Sequence, residues 1–228
     1  MSKPYLSIII PVYNEASIIQ DNLTKILRWL EQQDFASEVI VSDDGSGDNT
    51  VELASKLSVK IIKNYHQGKG AAVTAGMLAA RGQWRIFMDI DLATPISELT
   101  KCLEYSADYD IIIASRALPG SQILYSQPWY KVVAGKLGNL LVQITLLPGI
   151  HDSQCGFKLF SERAAQLFNE LQEVGWSFDM ELLYLAKQRG FTIKEIPVQW
   201  RDDGRSHVKL KDYFGTLISL FRIRFRKK

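Results

Sequence analysis

Two aspartates near the middle of the chain have the spacing expected of ligands to a divalent cation. Asp89 and Asp91 follow an apolar run, and an extended backbone places side chains two residues apart on the same side. Mg²⁺ usually binds one or two protein carboxylates together with substrate phosphates, and Mn²⁺ accepts the same oxygen ligands. The pair therefore predicts a metal site for a diphosphate, with Mg²⁺ or Mn²⁺ as the cofactor.

Further polar residues follow two other apolar runs in the first half of the chain. They are Pro11, Tyr13, Asn14, Glu15, Asp43 and Asp44. Aspartates gathered at one edge of a sheet would repel one another unless a cation or nucleotide hydroxyls were bound there. The alternative is that each strand-end aspartate caps a helix or a turn. Taken together, the residues favour a nucleotide-diphosphate site.

Alternating patterns in the sequence predict the elements that position these residues. Apolar runs indicate strands at 6–12, 39–42, 59–62, 84–88 and 111–114, and helical patterns occupy 69–80 and 178–188. Short apolar strands separated by helices predict a parallel α/β sheet with right-handed crossovers. Ligands of such sheets bind beyond the carboxyl ends of the strands, which is where the polar residues lie.

Composition limits the class of protein and its location. The chain of 228 residues is 46% hydrophobic and 23% charged, which predicts a compact fold with a sizeable core. Its net charge of +2 argues against a nucleic-acid partner. Cys102 and Cys155 form no CxxC pair, so we expect free thiols in a reducing compartment. The sequence has no run of about 18 apolar residues and no signal peptide, so we expect a cytoplasmic protein.

Four motifs of the first half resemble those of the family 2 inverting glycosyltransferases of GT-A fold. They are IIPVYNE at 9–15, VSDDGS at 41–46, GKGAAV at 68–73 and MDID at 88–91. The resemblance implies that Asp89 and Asp91 hold the metal and that Lys69 approaches the donor. It also implies a set of donor-binding residues made of Pro11, Tyr13, Asn14, Glu15, Asp43, Asp44 and Asp89.

Motifs of the second half are similar to those of the dolichyl-phosphate glucosyltransferase branch and its polyprenyl-phosphate relatives. They are ASR at 114–116, HDSQCGFKLF at 151–160, SFDMELL at 177–183 and IPVQW at 196–200. The resemblance implies inverting transfer of glucose from UDP-glucose to a polyisoprenyl phosphate. Ala93 stands where the mannosyl branch tends to have a glutamine ligand, which favours glucose.

The same resemblance implies the architecture. We expect a Rossmann-like nucleotide-binding sheet with helices on both faces, an acceptor-side lobe and a C-terminal amphipathic helix. Residues 1–118 would form the nucleotide-sugar-binding half and residues 119–228 the acceptor-binding half of one continuous GT-A domain.

Basic side chains are expected to hold the acceptor phosphate, because an arginine presents a planar fork of donors. The candidates are Arg116, Arg201, Arg205, Ser206 and Lys209. For Arg116 the alternative is a salt bridge to a neighbouring carboxylate. A phosphate monoester has a second pKa of about 6 and is already a nucleophile at pH 7, so a strong general base is not required.

Other polar residues are expected to line the sugar and acceptor pocket, namely Asp152, Gln154, Asp179 and Glu181. If a catalytic base exists, Asp152 and Asp179 are the candidates. For Asp179 and Glu181 the alternative is capping and dipole pairing at the start of a helix.

An apolar stripe near the C-terminus predicts an amphipathic helix in the membrane interface. The stripe consists of Phe214, Leu217, Ile218, Phe221 and Phe225, with basic residues beside it. We therefore expect a peripheral protein at the inner face of the membrane. The alternative is a core helix or the interface of a homodimer.

Other functions remain open from the sequence. One alternative is transfer of mannose or another hexose to a polyprenyl phosphate, and another is a glycosyltransferase with a soluble acceptor. A sugar-nucleotide pyrophosphorylase is disfavoured because its glycine-rich loop is missing after the first strand. A non-catalytic nucleotide-binding protein is disfavoured by the presence of both Asp89 and Asp91.

Overall fold

A computed structural model describes residues 3–125, 129–201 and 210–226. The strands are β1 (Leu6–Val12), β2 (Ser37–Asp43), β3 (Lys60–Lys63), β4 (Trp84–Met88), β5 (Ile111–Ser115), β6 (Gln122–Tyr125), β7 (Phe157–Ser161), β8 (Ile193–Pro197) and β9 (Gln199–Arg201). The helices are α1 (Ile19–Leu30), α2 (Thr50–Ser55), α3 (Lys69–Ala79), α4 (Glu98–Glu104), α5 (Trp129–Thr145), α6 (Glu162–Ala165), α7 (Phe178–Gln188) and α8 (Leu210–Phe225), with a 3₁₀ helix at Gln166–Glu170.

Seven strands form one mixed sheet in the order β3, β2, β1, β4, β7, β5, β8. The first four strands of this order run parallel, and β5 pairs in parallel with β8. The two halves of the chain therefore share a single sheet. The predictions for β1, β4 and α7 match the observed bounds, and the other predicted strands and the helix predicted at 69–80 differ by one or two residues at their ends.

The five strands predicted from the sequence all run in one direction, as expected, whereas β7, which the sequence did not predict, runs antiparallel to both β4 and β5. The direction of an apolar strand that is buried on both faces cannot be read from its sequence. In the chain, β7 follows β5 only after the intervening elements β6 and α5. Its first residue, Phe157, lies opposite Met88, the last residue of β4. Because of this direction, the segment that precedes β7 meets the acidic edge, which is the edge of the sheet where β1, β2 and β4 end and where Asp43, Asp44, Asp89 and Asp91 follow.

The core consists of two apolar layers, one on each face of the sheet. Side chains of β1 alternate between them, since Ile8 and Ile10 belong to one layer and Ile9 to the other. Helices α1, α2 and α4 cover the first layer, and α3, α5, α6, α7 and α8 contribute to the second. The two cysteines are buried free thiols, and burial raises the pKa of Cys155 to about 12.

A separate pair of short strands, β6 and β9, lies beside the acidic edge. The Arg201 amide at the end of β9 donates a hydrogen bond of 2.8 Å to the Ala93 carbonyl, two residues beyond Asp91. Across the described ranges, no helix combines the length and the apolar character that crossing a bilayer requires.

Candidate active site

The acidic edge forms where β1, β2 and β4 end side by side, because the three strands are parallel neighbours. Lys69, the first residue of α3, reaches this edge and places its Nζ 2.5 Å from Oδ1 of Asp89. The ring of Trp176 lies 5.3 Å from the same ammonium. Burial would lower the pKa of Lys69, but the charges of Asp89 and Asp179 outweigh burial and raise the pKa. The lysine is therefore a cation held at the edge.

Gly156 makes room for the Asp89 carboxylate. The Asp89 amide donates to the Gly156 carbonyl at 3.1 Å, and a Cβ at Gly156 would lie 2.0 Å from Oδ2 of Asp89. A side chain at residue 156 would therefore displace the Asp89 carboxylate. Sequence reasoning missed this residue, although it lies within the HDSQCGFKLF motif.

Asp91 follows on a turn that bends the chain back toward β9. Its Oδ1 accepts a hydrogen bond of 2.9 Å from the Ala93 amide, and Leu92 between them has a φ of 54°. The turn also brings Arg201 of β9 beside Ala93, so one predicted acceptor residue lies next to the predicted metal ligands.

The chemistry of the two aspartates fits a small divalent cation. Carboxylate oxygens are hard donors, and Mg²⁺ needs only one or two of them when phosphates complete its shell. Asp89 already pairs with a cationic ammonium, which shows that the position is suited to positive charge. Among the described residues, no three His, Cys, Asp or Glu side chains form a cluster that would bind a metal without such a ligand.

Asp43 and Asp44 organise the turns of this edge through their buried carboxylates. Asp43 accepts hydrogen bonds from the amides of Gly45 and Ser46. Asp44 Oδ1 accepts from the Gln67 amide at 2.9 Å and thereby fixes the turn that leads into Lys69. The capping alternative therefore describes their protein contacts, and their contact with a nucleotide stays a prediction.

Tyr13 presents an aromatic surface beside these turns. Its ring is 42% exposed and stacks on His66, with 4.2 Å between centroids and 19° between planes. His66 in turn lies with Nδ1 2.9 Å from Oδ2 of Asp44. Offset or parallel contact with another ring is the favoured use of such a face. The pair can therefore stack on a nucleotide base.

The other predicted donor residues surround Tyr13. Asn14 has a φ of 56°, and its Oδ1 accepts from the Gly47 amide at 2.8 Å. The Glu15 amide donates to Oγ1 of Thr50 at 2.8 Å. Pro11 is buried in β1 and lies in register with Ser42 of β2. These contacts join the end of β1 to the loop after β2.

Arg116 forms a bidentate salt bridge with Asp152, as the alternative prediction had it. Nε and Nη2 of Arg116 lie 2.7 and 2.8 Å from the two carboxylate oxygens, and the Arg116 amide donates to Oδ2 at 2.9 Å. Burial would raise the pKa of Asp152, but Arg116 outweighs burial and holds the pKa below its usual value. Asp152 is therefore a poor general base.

Asp179, the other candidate base, is paired with a lysine that sequence reasoning missed. Lys158 of β7 is fully buried and places Nζ 2.5 Å from Oδ1 of Asp179 and 2.6 Å from the Cys155 carbonyl. Burial raises the pKa of Asp179, although Lys158 and Lys69 act in the opposite direction. The one available signal was a lysine inside the apolar run FKLF.

The remaining predicted pocket residues have different settings. Glu181 is buried and accepts hydrogen bonds from the amides of Gln172 and Glu173 at 2.9 and 2.7 Å, so it supports a loop. Gln154 is exposed. Three predicted acceptor residues lie outside the described part of the chain, namely Arg205, Ser206 and Lys209.

Residues 7–168 match the model of glycosyl transferase family 2, and the chain belongs to that family. It is therefore a glycosyltransferase, as the motifs predicted.

Similar curated proteins include dolichyl-phosphate beta-glucosyltransferases. A dolichyl-phosphate beta-glucosyltransferase of Trichomonas vaginalis is 35% identical over 97% of this chain and 71% of that protein. The Homo sapiens protein of the same name is 32% identical over 86% of this chain and 67% of its own length.

Solved structures agree on the fold. Glucosyl-3-phosphoglycerate synthase of Mycobacterium tuberculosis, in complex with Mn²⁺, UDP and its product, aligns with a TM-score of 0.72 at 17% identity, covering 99% of this chain and 81% of that one. Mannosyl-3-phosphoglycerate synthase of Rubrobacter xylanophilus aligns with a TM-score of 0.74 at 16% identity, covering 96% and 72%. The predicted GT-A fold is confirmed.

Proposed function

We propose that this glycosyltransferase moves glucose from UDP-glucose to a polyisoprenyl phosphate with inversion at the anomeric carbon. The observation that carries the proposal is the contact of Lys69 with Asp89 at the edge where Asp91 also lies. Carboxylates suited to a metal and an ammonium suited to a diphosphate therefore lie together at this edge. The names of the curated relatives support glucose as the sugar and dolichyl phosphate as the acceptor type.

On the donor side, Asp89 and Asp91 would hold Mg²⁺ or Mn²⁺, which supplies positive charge to the departing diphosphate. Lys69 adds a second positive charge from the first turn of α3. The stacked rings of Tyr13 and His66 bind the uracil. Structures of two complexes of the mycobacterial neighbour with UDP contain Mn²⁺ or Mg²⁺, which supports the choice of metal.

On the acceptor side, the nucleophile is an oxygen of the lipid phosphate. Arg116 follows the last residue of β5 and uses two of its five N–H donors on the side chain of Asp152, which leaves three for a phosphate. We assign it, together with Arg201, Arg205, Ser206 and Lys209, to holding this phosphate in line with the anomeric carbon. Residues 1–118 thus carry most of the donor site and residues 119–228 most of the acceptor site.

The lipid requires an apolar surface, and two helices provide one. Leu137, Leu140 and Ile144 lie on one face of α5, and Ile218, Phe221 and Phe225 on one face of α8. All six side chains are more than half exposed, from 51% to 74%, and the two helices pack against each other. Phe214 and Leu217 lie outside the part of α8 whose side chains are described. We assign this surface, the α5/α8 face, to the inner face of a membrane.

Transfer assays test the reaction. Purified protein is incubated with radiolabelled UDP-glucose or GDP-mannose, Mg²⁺ or Mn²⁺, and a short polyprenyl phosphate. We expect label from UDP-glucose in the organic phase, and its loss in Asp91→Asn but not in Asp34→Asn, an exposed aspartate just beyond the end of α1. Preference for GDP-mannose would overturn the sugar, and transfer only to a water-soluble acceptor would overturn the lipid.

Vesicle binding tests the surface. Ile218→Ser/Phe221→Ser should weaken sedimentation with phosphatidylglycerol-containing vesicles by roughly tenfold or more, because two large apolar side chains are lost. The control is Leu78→Ser, an exposed leucine of α3. Equal binding of both variants, or a dimer in light scattering that Phe221→Ser dissociates, would reject the membrane assignment in favour of a second copy of the chain.

A further inference from the structure

Helix α8 has an inward face that is charged as well as apolar. Leu220 and Ile223 enter the core, while Ser219, Arg222 and Arg226 point to a pair of buried glutamates. A helix that only packed on the core and contacted lipid would need apolar residues on its inward face and no charged ones. The charged residues of the inward face therefore have another role.

The glutamates are Glu173 and Glu181, which are 8% and 2% exposed. Oε2 of Glu173 accepts from the Ser219 hydroxyl at 2.8 Å, and its Oε1 lies 3.3 Å from Nη1 of Arg222 and from Nη2 of Arg226. Arg226 also pairs with Glu181. A buried carboxylate without a partner is costly, so these pairs hold α8 firmly to the segment that carries Glu173.

That segment, 172–176, rests directly on the start of α3. Glu181 accepts the amides of Gln172 and Glu173, and the Val174 carbonyl accepts the Ala71 amide at 3.1 Å. A Cβ at Gly68 or Gly70 would lie only 2.9 Å from the Val174 carbonyl oxygen. The two backbones therefore touch with no side chain between them.

The segment ends in Trp176, whose ring lies 5.3 Å from the Lys69 ammonium. A continuous series of contacts thus runs from Arg226 through Glu173 and the Val174 carbonyl to the turn that bears Lys69. A shift of the segment would move the glycines on both sides of Lys69, because nothing separates them from it.

We propose that Glu173 and Glu181 are positioning residues, through which α8 fixes segment 172–176 against the 68–71 turn and holds Lys69 at the donor diphosphate. The inference rests on the proposed function, which gives Lys69 its diphosphate. Helix α8 then has two roles, because its inner face supports the donor site and its outer face contacts lipid.

The test compares two arginines of the same helix in the full chain. Arg226→Met removes the partner shared by both glutamates, whereas Arg224→Met removes an exposed arginine and the same charge. Binding of UDP in the presence of Mn²⁺ is measured by titration calorimetry without lipid. We expect the Kd to rise about tenfold in Arg226→Met, as for small misplacements of a binding group, and to stay within about twofold in Arg224→Met.

Further variants separate positioning from folding. Arg226→Lys should recover most of the affinity, and Glu173→Gln, which keeps the size and a hydrogen-bond acceptor for Ser219, should weaken UDP binding in a chain that still folds by circular dichroism. In transfer assays, Arg226→Met should raise the KM for the donor and leave the KM for the lipid acceptor unchanged.

Two results would count against the inference in different ways. Equal UDP affinity of folded Arg226→Met, Glu173→Gln and Arg224→Met would overturn the positioning role alone. Absence of UDP binding to the unaltered chain with either Mn²⁺ or Mg²⁺ would overturn the proposed function and this inference with it.

Discussion

The buried pair of Lys158 and Asp179 allows a sharp prediction about stability. Lys158 stands in β7 between β4 and β5 with no exposed surface, and Asp179 is buried in the first turn of α7. Lys158→Met keeps an unbranched side chain of similar volume and removes only the ammonium. Asp179 then remains buried without the cation that lies 2.5 Å away in the unaltered chain.

The expected loss is large because one member of a buried ion pair is removed. Such changes cost about 3–5 kcal/mol of unfolding free energy, whereas exchanging both members for apolar residues is often neutral. Whole domains are stable by only about 5–15 kcal/mol, so Lys158→Met loses a large share of the total. Lys158→Met/Asp179→Leu should therefore be more stable than Lys158→Met alone.

The loss of unfolding free energy in Lys158→Met should also increase with pH. Burial already raises the pKa of Asp179, and removal of Lys158 raises it further. A carboxyl group whose pKa is higher in the folded than in the unfolded state favours folding when protonated, so stability falls as pH rises through the folded pKa. The penalty of Lys158→Met is expected to be larger at pH 8 than at pH 5.

Urea unfolding followed by circular dichroism measures these differences. The control is Lys56→Met, which removes an exposed lysine 3.2 Å from Glu52 on α2 and should cost less than about 1 kcal/mol. A loss below about 1 kcal/mol in Lys158→Met, or a double variant no more stable than the single one, would refute the reasoning.

Three further predictions concern single positions. Gly156→Ala should displace the Asp89 carboxylate and weaken Mn²⁺ binding in calorimetry, with an almost unchanged urea midpoint; unchanged Mn²⁺ affinity would contradict it. Gly70→Ala should cost about 1–3 kcal/mol in urea unfolding because its Cβ would lie 2.7 Å from the Phe178 Cβ, whereas Gly47→Ala, with no atom within 4 Å, should be nearly neutral; equal costs would contradict it. Because the pKa of Asp152 is lowered, its contribution to stability is present above about pH 4 and is lost as pH falls through the folded pKa, so Asp152→Asn should flatten the pH dependence of urea unfolding between pH 2 and pH 5; parallel curves would contradict it.

The acidic edge could be predicted from sequence because its geometry follows from local patterns. Strands β1 and β4 are mostly apolar over seven and five residues, and β2 contains the shorter apolar run 39–41. The parallel arrangement brings their carboxyl ends together whatever the details of packing. The placement of Asp89 and Asp91 on one side was predicted from the period of a strand, but β4 ends at Met88 and Asp91 lies in a turn, so their joint contact with a metal stays a prediction. Lys69 needed its position at the start of a helix, which the structure confirms.

The partners of these residues could not be predicted, because they come from distant segments. Asp152 is 36 residues from Arg116, and Lys158 is 21 residues from Asp179. Gly156 and Lys158 reach the edge only because β7 runs antiparallel, and nothing in the apolar sequence of that strand states its direction. Trp176 reaches Lys69 through a loop without regular pattern.

These pairings bear on the chemistry of the acceptor. Both candidate general bases form salt bridges, Asp152 with Arg116 and Asp179 with Lys158. A sugar hydroxyl has to lose its proton to attack and would need a carboxylate available to receive it. A phosphate monoester with a second pKa of about 6 is already an anion at pH 7 and needs cations to hold it instead. The pairings therefore favour the proposed phosphate acceptor over a hydroxyl acceptor.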